Sequence, residues 1–363
     1  MVGGKRVCFA RRDNYVETRL TVLDRIPDGL LELSADQLAG FLPGPTLIHL
    51  EGRQANPLFV SVLQHGNEFT GWEAVRALLS GYADKQLPRS LSVFIANITA
   101  AREGLRTAPG QVDFNRSWPG GVRMDTDITR ILRQVTDAMR ARTPFASVDI
   151  HNTSGLNPHY SAVTRIANRM FHLATMFGRT VVYYTRPPGT QASCFSEFCP
   201  AVVLECGQAG QVRGDDHARD YLDACLHMNE IPAHPIASHD IDLFRTVATV
   251  RVNEGMSFGF GECGADICFE ADLDHMNFHE LPAGTSFGRS GNGGPAPIVA
   301  VDDFGTDITQ DLFEIIDGEI RTKRMVMPSM LTLDAQIVRQ DCLCYVMERM
   351  TINTGQHHPK AIS

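Results

Sequence analysis

The chain has no excess of positive charge: 33 Lys and Arg stand against 42 Asp and Glu, a formal net charge of −9. Phosphate backbones and anionic lipid surfaces are held by clustered basic side chains. A general nucleic-acid or anionic-membrane binder is therefore excluded, although one basic pocket on an acidic surface still suits an anionic small molecule. No apolar run approaches the length of a membrane span. The N-terminus, Met-Val-Gly-Gly-Lys-Arg-Val-Cys-Phe-Ala-Arg-Arg, resumes its charge at Arg11 before an apolar h-region forms, so no signal peptide is readable and a cytoplasmic location is expected. Nine cysteines are an odd count without a Cys-x-x-Cys pair. Cys342 and Cys344 are too close for an ordinary disulfide, and Cys206 sits in an apolar run. The cysteines are expected to be mostly reduced and buried, with no metal or redox pairing of Cys194 with Cys199 or of Cys263 with Cys268. Internal repeats and low-complexity tracts are absent too.

What is present is patterned. A length of 363 residues suits two domains, or one large domain with an appendage. Residues 1–42 form an N-terminal segment in which Ser34-Ala-Asp-Gln-Leu could start a short helix. From Thr46 to about His234 strand and helix signals alternate. The strands predicted are Thr46–Leu50, Leu58–Leu63, Leu91–Ile98, Ser147–His151, Thr180–Tyr184 and Ala201–Cys206. The helices are Gly71–Ser80, Asp127–Arg140, Ala162–Phe177 and Asp216–Met228. This alternation predicts an α/β fold, a mixed, mainly parallel sheet with helices on both faces, over residues 43–235. After Pro235 the segments shorten, Thr246–Val252 alternates in period two, and Gly and Pro cluster. Residues 236–363 read as a smaller β-rich C-terminal domain.

Chemistry gathers at three strand ends. The apolar run Leu58–Leu63 hands over at a polar turn to a helical pattern, placing His65 and Glu68 where α/β sheets collect ligands. Both are zinc ligand types. Asp149 and His151 end a second strand two residues apart, hence on one side of it. Asp149 suits either the far nitrogen of a metal-bound His or another site group. Glu205 follows four apolar residues, and a carboxylate burying itself there needs a partner or a job; beside a metal it can act as general base. Between the first two stations, Arg116 can clamp a carboxylate with Asn115 beside it, and Arg106 can stabilise an oxyanion. Arg102, Arg123 and Arg130 read as solvated. Gly259–Gly264 matches Gly-x-Gly-x-x-Gly, but extended sequence follows, so it reads as a Gly-rich β turn. His275, His279 and Glu280 read as a polar loop, and Asp302, Asp303 and Asp307 lack EF-hand spacing.

In that order, His65-Gly66-Asn67-Glu68, Arg106 with Asp113-Phe-Asn115-Arg116, Asp149-Ile-His151-Asn-Thr and Leu204-Glu205 resemble the succinylglutamate desuccinylase/aspartoacylase family over roughly residues 43 to 235. That family belongs with the zinc carboxypeptidases. The resemblance implies one zinc ion per chain, bound by His65, Glu68 and His151, with Glu205 as general base and proton donor. It implies that Arg106 polarises the scissile carbonyl and that Asn115 and Arg116 hold a substrate carboxylate. A small C-terminal β-domain would narrow the cleft, with Tyr160, Tyr183, Tyr184 and Tyr345 as candidates to line it. The expected activity is hydrolysis of an amide, not an ester, removing the acyl group from a small N-acyl amino acid or related carboxylate-bearing amide by metal-activated water. A carboxypeptidase of short peptides needs the same groups, and a non-catalytic relative would have lost one of them. The oligomeric state, a homo-oligomer included, is left open.

Overall fold

The computed structural model of the chain describes residues 19–121, 125–291 and 296–351. Its first part alternates strands β1 (Thr21–Leu23), β2 (Thr46–Leu50), β3 (Gly52–Val62), β4 (Leu87–Ile95), β5 (Ala146–His151), β6 (Tyr160–Val163), β7 (Thr180–Tyr183) and β8 (Ala201–Glu205) with helices. These helices are α1 (Thr70–Ser80), α2 (Ile98–Arg102), α3 (Asp127–Arg142), α4 (Asn168–Thr175), α5 (Gln191–Phe195) and α6 (Val212–His227). The later strands are β9 (Asp242–Val252), β10 (Phe258–Phe260), β11 (Ile267–Phe269), β12 (Ser286–Ser290), β13 (Ile298–Val301), β14 (Phe313–Ile316), β15 (Glu319–Thr322), β16 (Met327–Ser329) and β17 (Cys344–Arg349). Two short helices, α7 (Thr309–Leu312) and α8 (Ala335–Gln340), lie among them.

The main sheet has 12 strands in the order β1-β2-β4-β3-β5-β8-β6-β7-β9-β17-β16, with β13 paired to β9. β3, β5 and β8 are neighbours and parallel at its centre. Alternation along β3 explains its continuous apolar run. Leu58, Val60 and Val62 point into a core shared with Trp72 and Val75 of α1, Phe171 of α4 and Leu222 of α6. Phe59 points the other way, to Ile131, Leu132 and Val135 of α3 and Phe195 of α5. A strand buried on both faces is apolar at successive positions, and the one polar side chain in this run, Ser61, is paired with Asp149. The apolar stripe of α3 lies where its spacing predicts, with Ile128, Ile131, Leu132, Val135 and Met139 all buried, and the Thr126 hydroxyl accepts the Thr129 N–H at 3.2 Å as its cap. Among the described residues no helix is long and apolar enough to cross a membrane.

Several expectations are corrected. Ala162–Phe177 is not one helix. Tyr160–Val163 pairs as a strand between β8 and β7, and the helix begins only at Asn168. Its apolar residues satisfied both periods, and the gap in the sheet selected the strand. The strand expected to reach Ile98 stops at Ile95, because the Asn97 side chain accepts the Ala100 N–H and starts α2. The main sheet also continues past residue 235: β9, β13, β16 and β17 all belong to it. A separate five-stranded sheet, β10-β11-β12-β15-β14, carries the rest of the β-rich part. Cys263 and Cys268 form a disulfide where no pairing was expected, because the turn between β10 and β11 brings their Cα atoms to 5.7 Å. Cys194, Cys199, Cys206, Cys225, Cys342 and Cys344 are free and buried. Arg123 lies outside the described residues.

The turn after β3 leaves the sheet abruptly. Leu63 sits in the left-handed region at φ 56°, a strained conformation for a branched residue. Gly66 then passes so close to α2 that a Cβ would lie 2.2 Å from the Ala101 nitrogen and 2.3 Å from the Ala100 carbonyl carbon. Gly66→Ala therefore has to shift backbone, and is expected to cost about 1–3 kcal/mol. Gly264→Ala, with nothing within 4 Å of its Cβ, is expected to stay within about 0.5 kcal/mol of the parent. Thermal unfolding of the two variants compares them directly.

Candidate metal centre and active site

The three central strands end side by side, so the residues at their carboxyl ends meet. His151 on β5 is the register partner of Glu205 on β8, and Glu205 in turn faces Tyr160 on β6. The turn after β3 brings His65 and Glu68 to the same edge. His65, Glu68 and His151 are all buried, and one candidate ligand atom from each lies within 4.8 Å of the others. Among the described residues this is the one His/Cys/Asp/Glu group with such spacing, so His275, His279 and Glu280 form none.

Each imidazole is held by its far nitrogen. His151 Nε2 lies 2.9 Å from Asp149 Oδ2, which resolves the two roles open to Asp149. His65 Nε2 lies 3.2 Å from Asp113 Oδ1. Both rings thus turn Nδ1 toward Glu68, at 2.8 Å from Oε1 for His65 and 2.7 Å from Oε2 for His151. The His65 Nδ1 contact is not aligned for a hydrogen bond, and that nitrogen is buried without a hydrogen-bond partner. A buried ring nitrogen left in this state is available to a ligand such as a metal ion. The donor set of two imidazoles and one carboxylate, with both imidazoles braced by acids, fits a divalent ion of the zinc type.

Further hydrogen bonds fix the braces. Asp149 is fully buried and accepts from Ser61 Oγ at 2.5 Å and Gln64 Nε2 at 2.6 Å. Gln64 is fixed in turn by Trp118 Nε1, which donates to its Oε1 at 2.7 Å. Asn152 donates its backbone N–H to Glu68 Oε2 at 3.3 Å. The electrostatics follow from this packing. Burial disfavours the Glu68 anion, but His65 and His151 outweigh it and hold the carboxyl well below its usual range. Burial likewise disfavours the charged form of His151, and Asp149 with Glu68 reverses the effect and raises it.

Glu205 is the opposite case. Its Oε2 is closed off from solvent and has no hydrogen-bond partner. Burial pushes the carboxyl up to about 8, only partly offset by His151. A group that changes protonation near neutrality beside a metal-capable cluster is suited to moving protons.

The remaining expected residues border one cavity with this cluster. Arg106 Nη1 lies 3.3 Å from Glu68 Oε1. Arg116 lines the cavity, and Asn115 forms part of its floor, with Nδ2 3.4 Å from Asp149 Oδ2 and Oδ1 accepting the Gln191 N–H at 2.8 Å. Tyr160, Tyr184 and Tyr345 line the cavity, and Tyr183 does not. The other wall comes from late in the chain: Thr246, Ser329, Met330, Asp341 and Tyr345. Two acids escaped sequence reasoning. Asp113 sat inside a motif quoted for its neighbours. Asp341 joins Arg106 and Arg116 at 3.3 Å each from 235 and 225 residues away, a separation for which sequence carries no signal.

If the acids brace the imidazoles, removing their charge weakens metal binding without unfolding the sheet. Asp113→Asn and Asp149→Asn are each expected to lower zinc affinity about 10- to 100-fold. Competition with a chromophoric chelator measures this, and circular dichroism checks that the fold is retained.

Residues 55–226 match the family model described as the succinylglutamate desuccinylase/aspartoacylase catalytic domain. Succinylglutamate desuccinylase from Chromobacterium violaceum is 26% identical over 202 residues, 49% of this chain and 59% of the relative. The match thus spans less than two thirds of that protein. Among solved structures, the Chromobacterium violaceum desuccinylase superimposes with a TM-score of 0.55 at 18% identity, covering 83% of this chain and 87% of that one. Murine aminoacylase 3 does so with a TM-score of 0.51 at 15% identity, covering 83% and 97%. At such identities the two structures establish a shared fold. The matched segment contains every ligand candidate together with Glu205, Arg106, Asn115 and Arg116, and over it the chain is similar to the succinylglutamate desuccinylase/aspartoacylase catalytic domain.

Proposed function

We propose that the protein is a zinc-dependent amide hydrolase that removes the acyl group from a small N-acyl amino acid or a related carboxylate-bearing amide. The observation that carries the reading is the buried His65–Glu68–His151 cluster opening, beside the unpartnered Glu205 carboxyl and two arginines, into one shared cavity. A non-catalytic relative would lack one of these groups, and all are present.

His65 and His151 supply neutral nitrogens and Glu68 a carboxylate for the ion, with Asp113 and Asp149 fixing the ring orientations. Zinc, when bound there, contributes a Lewis acid that polarises the scissile carbonyl and makes water a competent nucleophile near neutral pH. Glu205 takes the proton from the attacking water and delivers it to the leaving amine nitrogen. Arg106 directs its guanidinium at the oxygen on which charge develops. Arg116 grips the substrate carboxylate, Asn115 shaping the floor beneath it. The late-chain residues Thr246, Ser329, Met330 and Tyr345 close the far wall. That enclosure favours a small acyl-amino acid over a peptide lying in an open groove.

Glu205→Gln tests the assignment. It is expected to lower kcat about 10²- to 10⁴-fold, with zinc content unchanged and KM little altered. Unchanged turnover by a zinc-loaded Glu205→Gln enzyme would overturn the role. A panel of N-acyl amino acids and dipeptides, scored by primary-amine release, is expected to give turnover on the former; turnover confined to dipeptides would make the enzyme a carboxypeptidase.

A further inference from the structure

The arginines assigned to the substrate are already engaged by an acid of this chain. Asp341 follows α8 directly and enters the site from the β-rich part. Arg116 Nη2 lies 3.3 Å from both Asp341 oxygens, and Arg106 Nη2 lies 3.3 Å from Oδ2. The Asp341 backbone is anchored at both ends: its N–H donates to the Ile337 carbonyl at 2.9 Å, and its carbonyl accepts from Arg251 Nε at 3.1 Å. The side chain is held less firmly. Charge-assisted N–H···O contacts in a tight pair run at about 2.7–2.9 Å, so contacts of 3.3 Å are long.

Asp341 also has somewhere to go. It borders the active-site cavity on one side and a second, polar cavity on the other, which is lined in part by Asn67, Ser154 and Gln208. Rotation about its side-chain bonds would carry the carboxylate from the arginines into that second space while the backbone stays in place.

We propose that Asp341 is a specificity-determining residue: a resident carboxylate that occupies Arg106 and Arg116 until the substrate's own carboxylate exchanges with it. The inference rests on the assignment of Arg116 as the substrate clamp. Exchange of one carboxylate for another keeps both guanidiniums paired. A neutral ligand that displaced Asp341 would leave the partly buried Arg116 without its ion-pair partner, which is costly, while Arg106 would keep Glu68. The resident acid therefore lowers affinity for every ligand that needs the arginines, and admits the anionic ones.

The test uses the full chain, zinc-loaded and carrying Glu205→Gln to suppress hydrolysis, titrated calorimetrically with N-acetylglycine and with its neutral amide. Adding Asp341→Asn removes the competing charge at constant shape. The Kd for N-acetylglycine is expected to tighten about tenfold, the factor recovered when a binding-competent state populated near one tenth becomes fully populated. The Kd for the amide should not change. A gain confined to the anion is a result that structural damage does not produce. An N-acetylglycine Kd that is unchanged or weaker, or no binding to either form, overturns the proposal. Should Asp341→Asn not fold, a crystal of the Glu205→Gln protein with N-acetylglycine decides. Exchange requires the ligand carboxylate on Arg116 and Asp341 beyond ion-pair distance, whereas an intact Asp341–Arg116 pair beside bound ligand rejects it. Turnover of the unsubstituted enzyme is scored separately. Failed exchange with turnover intact rejects the role of Asp341 alone, and absent turnover with exchange intact rejects the hydrolase.

Discussion

One carboxyl group, that of Glu68, stands between two buried imidazoles, with a ring nitrogen 2.8 Å away on one side and 2.7 Å on the other. Everything near it is arranged by that contact. Charges of this kind are expensive to bury and are tolerated only when paired. Here each imidazole carries a second acid behind it, so carboxylates outnumber the groups that neutralise them within the cluster. Arg106 restores part of the balance from one side. A divalent cation between His65, Glu68 and His151 would supply the rest, which is why the cluster reads as a binding site and not as a structural ion pair.

The fold makes this concentration of polar groups affordable. β5, most of β8 and the second half of β3 are buried and largely apolar, and the polar groups of the cluster gather where the three strands end. Because the strands are parallel neighbours, their carboxyl ends lie in one line, and a short turn, a strand end and a single glutamate supply the whole centre. The rigidity comes from behind. The chain Trp118–Gln64–Asp149–His151 ties the cluster to the aromatic core, where Trp118 packs edge-on to Phe94 and Phe195. The opposite wall is different in kind. It is built from Ser329, Met330, Asp341 and Tyr345 in the late segments, and its acid makes long contacts to the arginines instead of tight ones. The side that carries the His65–Glu68–His151 cluster is closely hydrogen-bonded, and the opposite wall meets the arginines through longer contacts.

The centre was legible in the sequence because its residues sit where local pattern changes. His65, Glu68, His151 and Glu205 each follow an apolar strand, and a polar group in that position announces a job. The bracing role of Asp149 was half legible, since alternation put it on the side of His151 without saying which group it served. Asp113 was visible as a letter and invisible as a partner, because its contact with His65 is made across a loop. Asp341 was beyond reach: nothing in Gln340-Asp341-Cys342 distinguishes it from a surface acid, and only the return of β17 to the sheet brings it to the arginines. The misread helix at Ala162 has the same origin. Short apolar segments fit both periods, and the neighbouring strands made the choice. The continuation of the sheet through β9 was hidden behind the Pro- and Gly-rich sequence around it.

The central claim is that His65, Glu68 and His151 together hold one divalent ion. Anomalous diffraction at the zinc edge from crystals of the zinc-loaded protein tests it most directly. The account predicts one strong peak per chain, with Nδ1 of both imidazoles and the Glu68 carboxylate at about 2.0–2.2 Å. A zinc-loaded crystal with no peak between these side chains, or with its peak on other residues, would contradict it.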